Sequence, residues 1–106
     1  MVGDSTVCGF SDSYYIPRQG YGEQLDRYFS ATVYNLAHSG ASSKDFTGMS
    51  EYDVLLNGSD TVPALGNAEG DKFLLIGFGH NDQKTEVARY TNPNGDYLTE
   101  GSFANS

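Results

Sequence analysis

The chain has 106 residues, 38% of them hydrophobic, and its 14 acidic and 6 basic side chains give a formal net charge of −8. This length suits one domain with a modest core, and the acidic balance excludes an electrostatic footprint for nucleic acid or an anionic membrane, so we expect neither as a partner. No apolar run reaches the ~18 residues of a membrane-spanning helix, and the single cysteine, Cys8, excludes an internal disulfide and a multi-cysteine metal site.

The first third of the chain predicts a short strand, a loop, a helix and a second strand. Residues 1–3 leave little strand ahead of Ser5, and glycine, serine and proline break any period over residues 6–20. Gly20-Tyr21-Gly22 is expected to open a helix, and residues 23–30 carry apolar side chains at helical spacing, which gives it an amphipathic face of about two turns. Residues 31–36 are rich in β-branched and aromatic side chains, which favour a strand.

The remainder predicts short helices and one buried strand. Either Ser42 or Ser43 is placed to cap a short helix over residues 44–46. The later expectations are a helix near 52–56, a turn at 57–60, a helix starting at 62–63, a strand at 72–77, a loop at 90–95 and a helix starting at 99–100. The strand at 72–77 is a continuous apolar run, as in a parallel strand that helices cover on both faces.

Small polar loops follow three of these apolar stretches. They are Gly3-Asp4-Ser5-Thr6-Val7, Asn35-Leu36-Ala37-His38-Ser39-Gly40-Ala41-Ser42 and Gly77-Phe78-Gly79-His80-Asn81-Asp82. The carboxyl ends of parallel strands meet at one edge of a sheet, which is where α/β folds place their sites. If one residue of this chain does chemistry, we expect it to be Ser5.

These stretches, together with Gly20-Tyr21-Gly22, resemble the GDSL or SGNH hydrolase superfamily and, more narrowly, the rhamnogalacturonan acetylesterase-like carbohydrate esterases. The resemblance implies an α/β, three-layer, flavodoxin-like fold with a parallel sheet, incomplete in this chain, in a single esterase domain over residues 1–106. Two features depart from the family: Gly-Tyr-Gly replaces its Gly-Trp-Gly, and neither His38 nor His80 lies in its late Asp-x-x-His block. We therefore expect a truncated domain with a short first strand.

The resemblance also implies the site residues. Ser5 is the expected nucleophile, and its own backbone N–H, the Gly40 N–H and the Asn81 side-chain amide are the expected oxyanion donors. Asp4, His80 and Asp82 are expected to support these loops. No metal and no organic cofactor is implied.

Alternatives remain for several of these residues. Asp4 is an acid or base beside Ser5, or a carboxylate that fixes the loop, and we favour the second role. His80 is a substitute base or, as we favour, a residue that orders its loop, while His38 is expected to be a plain loop residue. Tyr14, Tyr15 and Tyr21 either stack on a sugar ring or, as we favour for most tyrosines of a small domain, serve the edge of the core.

The function expected from these features is removal of acetyl groups from pectic or other plant-type polysaccharide. The expected partner is an acetylated oligo- or polysaccharide. Two alternatives stay open: a catalytically incomplete fragment that binds acyl or sugar ligands weakly, and a hydrolase of lipid esters. Oligomeric state and compartment stay unassigned; without a signal peptide in this chain the default expectation is cytoplasmic, with secretion open for a longer precursor.

Overall fold

A computed structural model of the chain describes residues 1–10, 14–15, 17–67 and 69–90. Its sheet contains the strands Val2–Gly3 (β1) and Ile76–Gly77 (β2), which run parallel with Val2 opposite Ile76 and Gly3 opposite Gly77. The Val2 N–H donates to the Leu75 carbonyl at 2.9 Å, and the Asp4 N–H donates to the Gly77 carbonyl at 3.1 Å. The carboxyl ends of both strands, with the loops that follow them, therefore meet at one edge.

The strand expected at residues 31–36 does not form as a regular strand. Its second half is instead an extended segment alongside β1, where Leu36 N–H donates to the Met1 carbonyl and His38 N–H to the Gly3 carbonyl, both at 2.9 Å. These alternate bonds follow a parallel register, but the chain bends at residues 30–31 and lies beside β1 only from Tyr34 onward. β1 consequently occupies the middle position, between this segment and β2.

The described helices are short, and most are wound as 3₁₀ helices. They are Tyr21–Arg27, Asp45–Gly48 and Leu65–Asn67 as 3₁₀ helices, and Ser50–Asn57 (α1) as the α-helix. α1 includes the helix expected near residues 52–56. None of the described helices has the length and apolarity that crossing a membrane needs.

The helix expected to open at Gly20-Tyr21-Gly22 and to run to residue 30 does start at Tyr21, but it is shorter and is wound as a 3₁₀ helix. It ends at Arg27, so Tyr28 and Phe29 lie outside it, with 79% and 53% of their surfaces exposed. A 3₁₀ helix repeats every 3.0 residues, so it does not collect the apolar side chains of this stretch on one face as the α-helical period does. The loop expected at 90–95, apart from its first residue, and the helix expected at 99–100 lie outside the described residues.

The core lies on both faces of the sheet. On one face Val2, Ala41 and Phe46 are buried, and side chains from α1 pack against them. On the other face a Cβ at Gly77 would meet the Tyr21 hydroxyl at 2.5 Å and Val7 at 2.8 Å, so glycine permits close packing there. Successive strand residues point to opposite faces, so helical segments flank the sheet on both sides, as in a layered α/β fold.

The apolar run at residues 72–77 is not buried as expected. The regular strand is limited to Ile76–Gly77, and Phe73 and Ile76 are 83% and 67% exposed. Among the described residues, helices do not cover both faces of this run. Residues 72–75 instead help to line an open, mainly apolar cavity of about 1000 Å³ at the amino ends of the strands.

Candidate active site

Ser5 directly follows β1, in a sharp turn of the backbone. The Val7 and Cys8 N–H groups both donate to the Asp4 carbonyl at 3.0 Å, which turns the chain as soon as the strand ends. Ser5 is half-buried, and its hydroxyl makes no hydrogen bond to any residue that the structure describes. The parallel sheet therefore presents this hydroxyl at its carboxyl edge.

The carboxylate of Asp4 accepts hydrogen bonds within the turn. Asp4 is only 1% exposed, and its Oδ1 accepts hydrogen bonds from the Thr6 N–H at 2.9 Å and the Thr6 hydroxyl at 2.7 Å. A short carboxylate that accepts a backbone N–H two residues ahead fixes a turn of this kind. These contacts support the loop-fixing role for Asp4 over a role as acid or base.

Gly40 lies in a second turn, which is anchored beside β1. His38 N–H donates to the Gly3 carbonyl at 2.9 Å, and Ala41 N–H donates back to the His38 carbonyl at 3.2 Å. Gly40 has a φ of +83°, a left-handed conformation that glycine adopts without strain. The backbone N–H groups of Gly40 and Ser5 have no acceptor among the described residues, which leaves two donors available at this edge.

Reciprocal hydrogen bonds between Ser42 and Asp45 lie at the end of this second loop. The Ser42 N–H and hydroxyl contact Asp45 Oδ1 at 2.7 and 3.1 Å, and the Asp45 N–H donates to the Ser42 hydroxyl oxygen at 3.1 Å. The bonds have the reciprocal pattern of a capping box, but the N-cap of the helix Asp45–Gly48 is Lys44 and no side chain caps it, so the cap expected at Ser42 or Ser43 is not formed. Ser42 is fully buried, so the loop has a fixed end on the core.

The third loop is fastened to the second. Asn81 is 4% exposed, and its amide Nδ2 donates to the Ala41 carbonyl at 2.9 Å. Asp82 accepts hydrogen bonds from Ser43 through the backbone N–H, at 3.1 Å, and through the hydroxyl. An asparagine amide has two N–H groups, so the bond to Ala41 leaves one for a ligand.

The three loops expected to converge are therefore joined by direct contacts at one edge of the sheet. A family model described as GDSL-like Lipase/Acylhydrolase matches residues 1–100. The chain belongs to this family. Its members are ester hydrolases with an SGNH-type α/β fold, and the small parallel sheet and its flanking helices agree with that fold. No curated protein and no solved structure matches the chain.

The two histidines of this family member lie in different surroundings. His80 is exposed and makes no hydrogen bond to the described residues, so the expected ordering of its loop through the imidazole is not seen; Asn81 and Asp82 fasten the loop instead. His38, expected to be a plain loop residue, pairs through Nδ1 with Glu51 Oε1 of α1 at 2.8 Å. Burial alone would raise the pKa of Glu51, but hydrogen bonds led by the one from His38 lower it overall.

Sequence reasoning missed the His38 and Glu51 pair because the two residues are far apart in the chain and belong to different elements. The available signal was the acidic first turn of α1, where Glu51 and Asp53 favour the helix N-terminus. That pattern predicts an acidic helix start but not its partner. The contact depends on how α1 packs on the sheet.

A cysteine thiol or a bound metal ion is the other kind of group that supplies chemistry in sites of this sort, and both can be checked near Ser5. Burial raises the pKa of the Cys8 thiol, and the negative charges of Asp4 and Glu23 raise it further, so the thiol stays protonated at neutral pH. Within the described segments, no group of three or more His, Cys, Asp or Glu side chains is placed to hold a metal ion. Ser5 stays the predicted nucleophile at this edge.

Proposed function

We propose that this protein removes acetyl or similarly small acyl groups from pectic or other plant-type polysaccharide, such as rhamnogalacturonan, through an acyl-enzyme on Ser5. Family membership supports ester hydrolysis in general. The observation that carries the proposal is that the Ser5 hydroxyl and two backbone N–H groups, those of Ser5 and Gly40, lie at the same edge of the sheet without a hydrogen-bond partner among the described residues. Acyl transfer needs that combination of nucleophile and oxyanion donors.

In the proposed reaction the Ser5 hydroxyl oxygen attacks the ester carbonyl carbon as a base removes the hydroxyl proton. The carbonyl oxygen becomes an oxyanion that accepts hydrogen bonds from the Ser5 N–H, the Gly40 N–H and the Asn81 amide. Collapse of this intermediate breaks the ester C–O bond, and the sugar hydroxyl leaves with a proton. Water then attacks the acetyl-Ser5 ester and releases acetate. Neither histidine hydrogen-bonds Ser5, so we assign the base to neither.

The position of the apolar cavity favours a small acyl group. The cavity lies among Met1, residues 31–34 and residues 72–75, at the amino ends of the strands, whereas Ser5 follows the carboxyl end of β1. A long lipid chain esterified to Ser5 would start at the opposite end of the sheet from this cavity. The polysaccharide part of the proposal rests on the resemblance of Gly79-His80-Asn81-Asp82 to the carbohydrate esterases.

The test is covalent labelling followed by substrate comparison. A fluorophosphonate probe should label the wild-type protein at Ser5, as located by peptide mass, and should label Ser39→Ala to the same extent while leaving Ser5→Ala unlabelled. Acetate release from acetylated oligogalacturonide should exceed fatty-acid release from a long-chain p-nitrophenyl ester. An unlabelled Ser5 would refute the acyl-enzyme, and preferential cleavage of the long-chain ester would refute the acetyl assignment.

A further inference from the structure

Three aromatic rings and one cation form a surface cluster, which we call the aromatic platform: Phe10, Tyr14, Tyr15 and Arg18. The Tyr15 ring lies 5.4 Å from Phe10 and 5.1 Å from Tyr14, measured between ring centroids, and it meets Tyr14 edge to face at 89°. The Arg18 guanidinium carbon lies 5.9 Å from the Tyr15 centroid. Edge-to-face and cation–π contacts of this kind hold rings in defined orientations.

The aromatic platform lies in the loop between Cys8 and Gly20, and the two ends of this loop meet at the Ser5 turn. Gly20 N–H donates to the Cys8 carbonyl at 3.0 Å, and Tyr21 N–H donates to the Thr6 carbonyl at 2.9 Å. Both ends of the loop are thus bonded to the turn that carries the proposed nucleophile. The platform is therefore joined to the Ser5 turn through the two ends of this loop.

Exposure of these rings points to recognition more than to packing. Tyr14 is 84% exposed and Tyr15 is 39% exposed, whereas the buried core is built from Val2, Ala41 and Phe46 on the sheet. Large aromatic side chains gathered on a surface are typical of ligand-binding sites. Tyr15 is braced by Phe10 and Arg18 and in turn supports the more exposed Tyr14 ring.

The chemistry of the platform selects a sugar acid. An aromatic face carries negative charge density and packs against the polarised C–H groups of a pyranose ring. A guanidinium donates paired hydrogen bonds to a carboxylate. Arg18 is one of 6 basic residues in a chain of net charge −8, so it supplies a local cation where the protein as a whole repels anions.

We propose that Phe10, Tyr14, Tyr15 and Arg18 form a subsite for a hexuronate residue of the polysaccharide, with Tyr14 stacking on the sugar ring and Arg18 binding its carboxylate. The link between this subsite and deacetylation rests on the function proposed above. The binding itself does not, because it requires neither Ser5 nor an acetyl group. The subsite would hold the chain of sugars next to the Ser5 turn.

The experiment measures binding of non-acetylated oligogalacturonate to the full chain by titration calorimetry. Tyr14→Ala should raise Kd about two- to tenfold, the loss that one aromatic contact produces. Tyr28→Ala is the matched control, because Tyr28 is also exposed, at 79%, but lies at the end of the helix Tyr21–Arg27. Arg18→Gln should remove the preference for oligogalacturonate over a neutral galactan of equal length.

Three results would overturn this inference: no binding of oligogalacturonate by the wild-type protein, equal Kd values for Tyr14→Ala and Tyr28→Ala, or equal affinity of the wild-type protein for the neutral galactan. Ser5 labelling is measured on the same variants. Platform-dependent binding without Ser5 labelling would retain the subsite and refute the hydrolase. Ser5 labelling without platform-dependent binding would retain the hydrolase and refute the subsite.

Discussion

Replacing Asn81 with alanine separates a structural hydrogen bond from a catalytic one. The wild-type amide donates to the Ala41 carbonyl at 2.9 Å, and Ala41 is fully buried. Asn81→Ala leaves that carbonyl without its amide donor, which destabilises the fold by about 1–3 kcal/mol. On the proposed mechanism the second amide N–H serves the oxyanion, and its loss raises the barrier by about 2.7–4 kcal/mol, or two to three powers of ten in kcat.

Asn35→Ala provides the matched control. The Asn35 amide also donates to a backbone carbonyl at 2.9 Å, that of Val7, but Asn35 is not one of the proposed oxyanion donors. Both variants should therefore lose comparable free energy of unfolding in urea. Only Asn81→Ala should lose about a hundredfold or more in kcat for acetyl-ester hydrolysis, measured well below either unfolding midpoint. Equal kcat values for the two variants would refute the assignment of Asn81 to the oxyanion.

Three further predictions concern the packing and the pH response of the fold. Phe46→Ala should lower the free energy of unfolding by about 3–5 kcal/mol in urea, because Phe46 is 3% exposed at the centre of the core; a loss below 1 kcal/mol would contradict that place in the core. Gly3→Ala should lower the free energy of unfolding in urea by about 1–3 kcal/mol, because the added Cβ would lie 2.5 Å from the Gly77 carbonyl oxygen. Gly48→Ala is the control, because its Cβ meets open space and should cause no such steric loss. The pKa of Glu51 is lowered in the folded state, so its carboxylate stabilises the fold at neutral pH and this stabilisation is lost as pH falls through the folded pKa. Glu51→Gln should therefore reduce the dependence of the free energy of unfolding on acid pH, and an unchanged dependence would contradict the role of Glu51.

The parts of the fold that were predictable depend on short-range chemistry. α1 follows from the helix-forming residues of its own stretch. The meeting of the three polar loops follows from the rule that parallel strands expose their carboxyl ends together. Local sequence was sufficient for α1, whereas the meeting of the loops, which joins residues about 40 positions apart, was predictable from a general rule of parallel sheets.

The parts that were wrong depend on what packs against them. The run at residues 72–77 has the composition of a buried strand, but burial requires covering elements that its own residues do not specify. The helix expected to run to residue 30 starts as predicted at Tyr21, but it ends at Arg27 and is wound as a 3₁₀ helix. The His38 contact with Glu51 likewise exists only after α1 has docked.

The loops around this site are of two kinds, which differ in how they are hydrogen-bonded to their neighbours. Asn81 and Asp82 bind the loop of Gly40 directly, so the elements proposed to stabilise charge move together as one unit. In the described part of the loop between Cys8 and Gly20, the hydrogen bonds to the Ser5 turn are backbone bonds at the two ends of the loop. Substitution of its described side chains should therefore change those backbone bonds little. On the proposed function, a new saccharide preference would be sought by varying this loop while residues 38–43 and 79–82 stay unchanged.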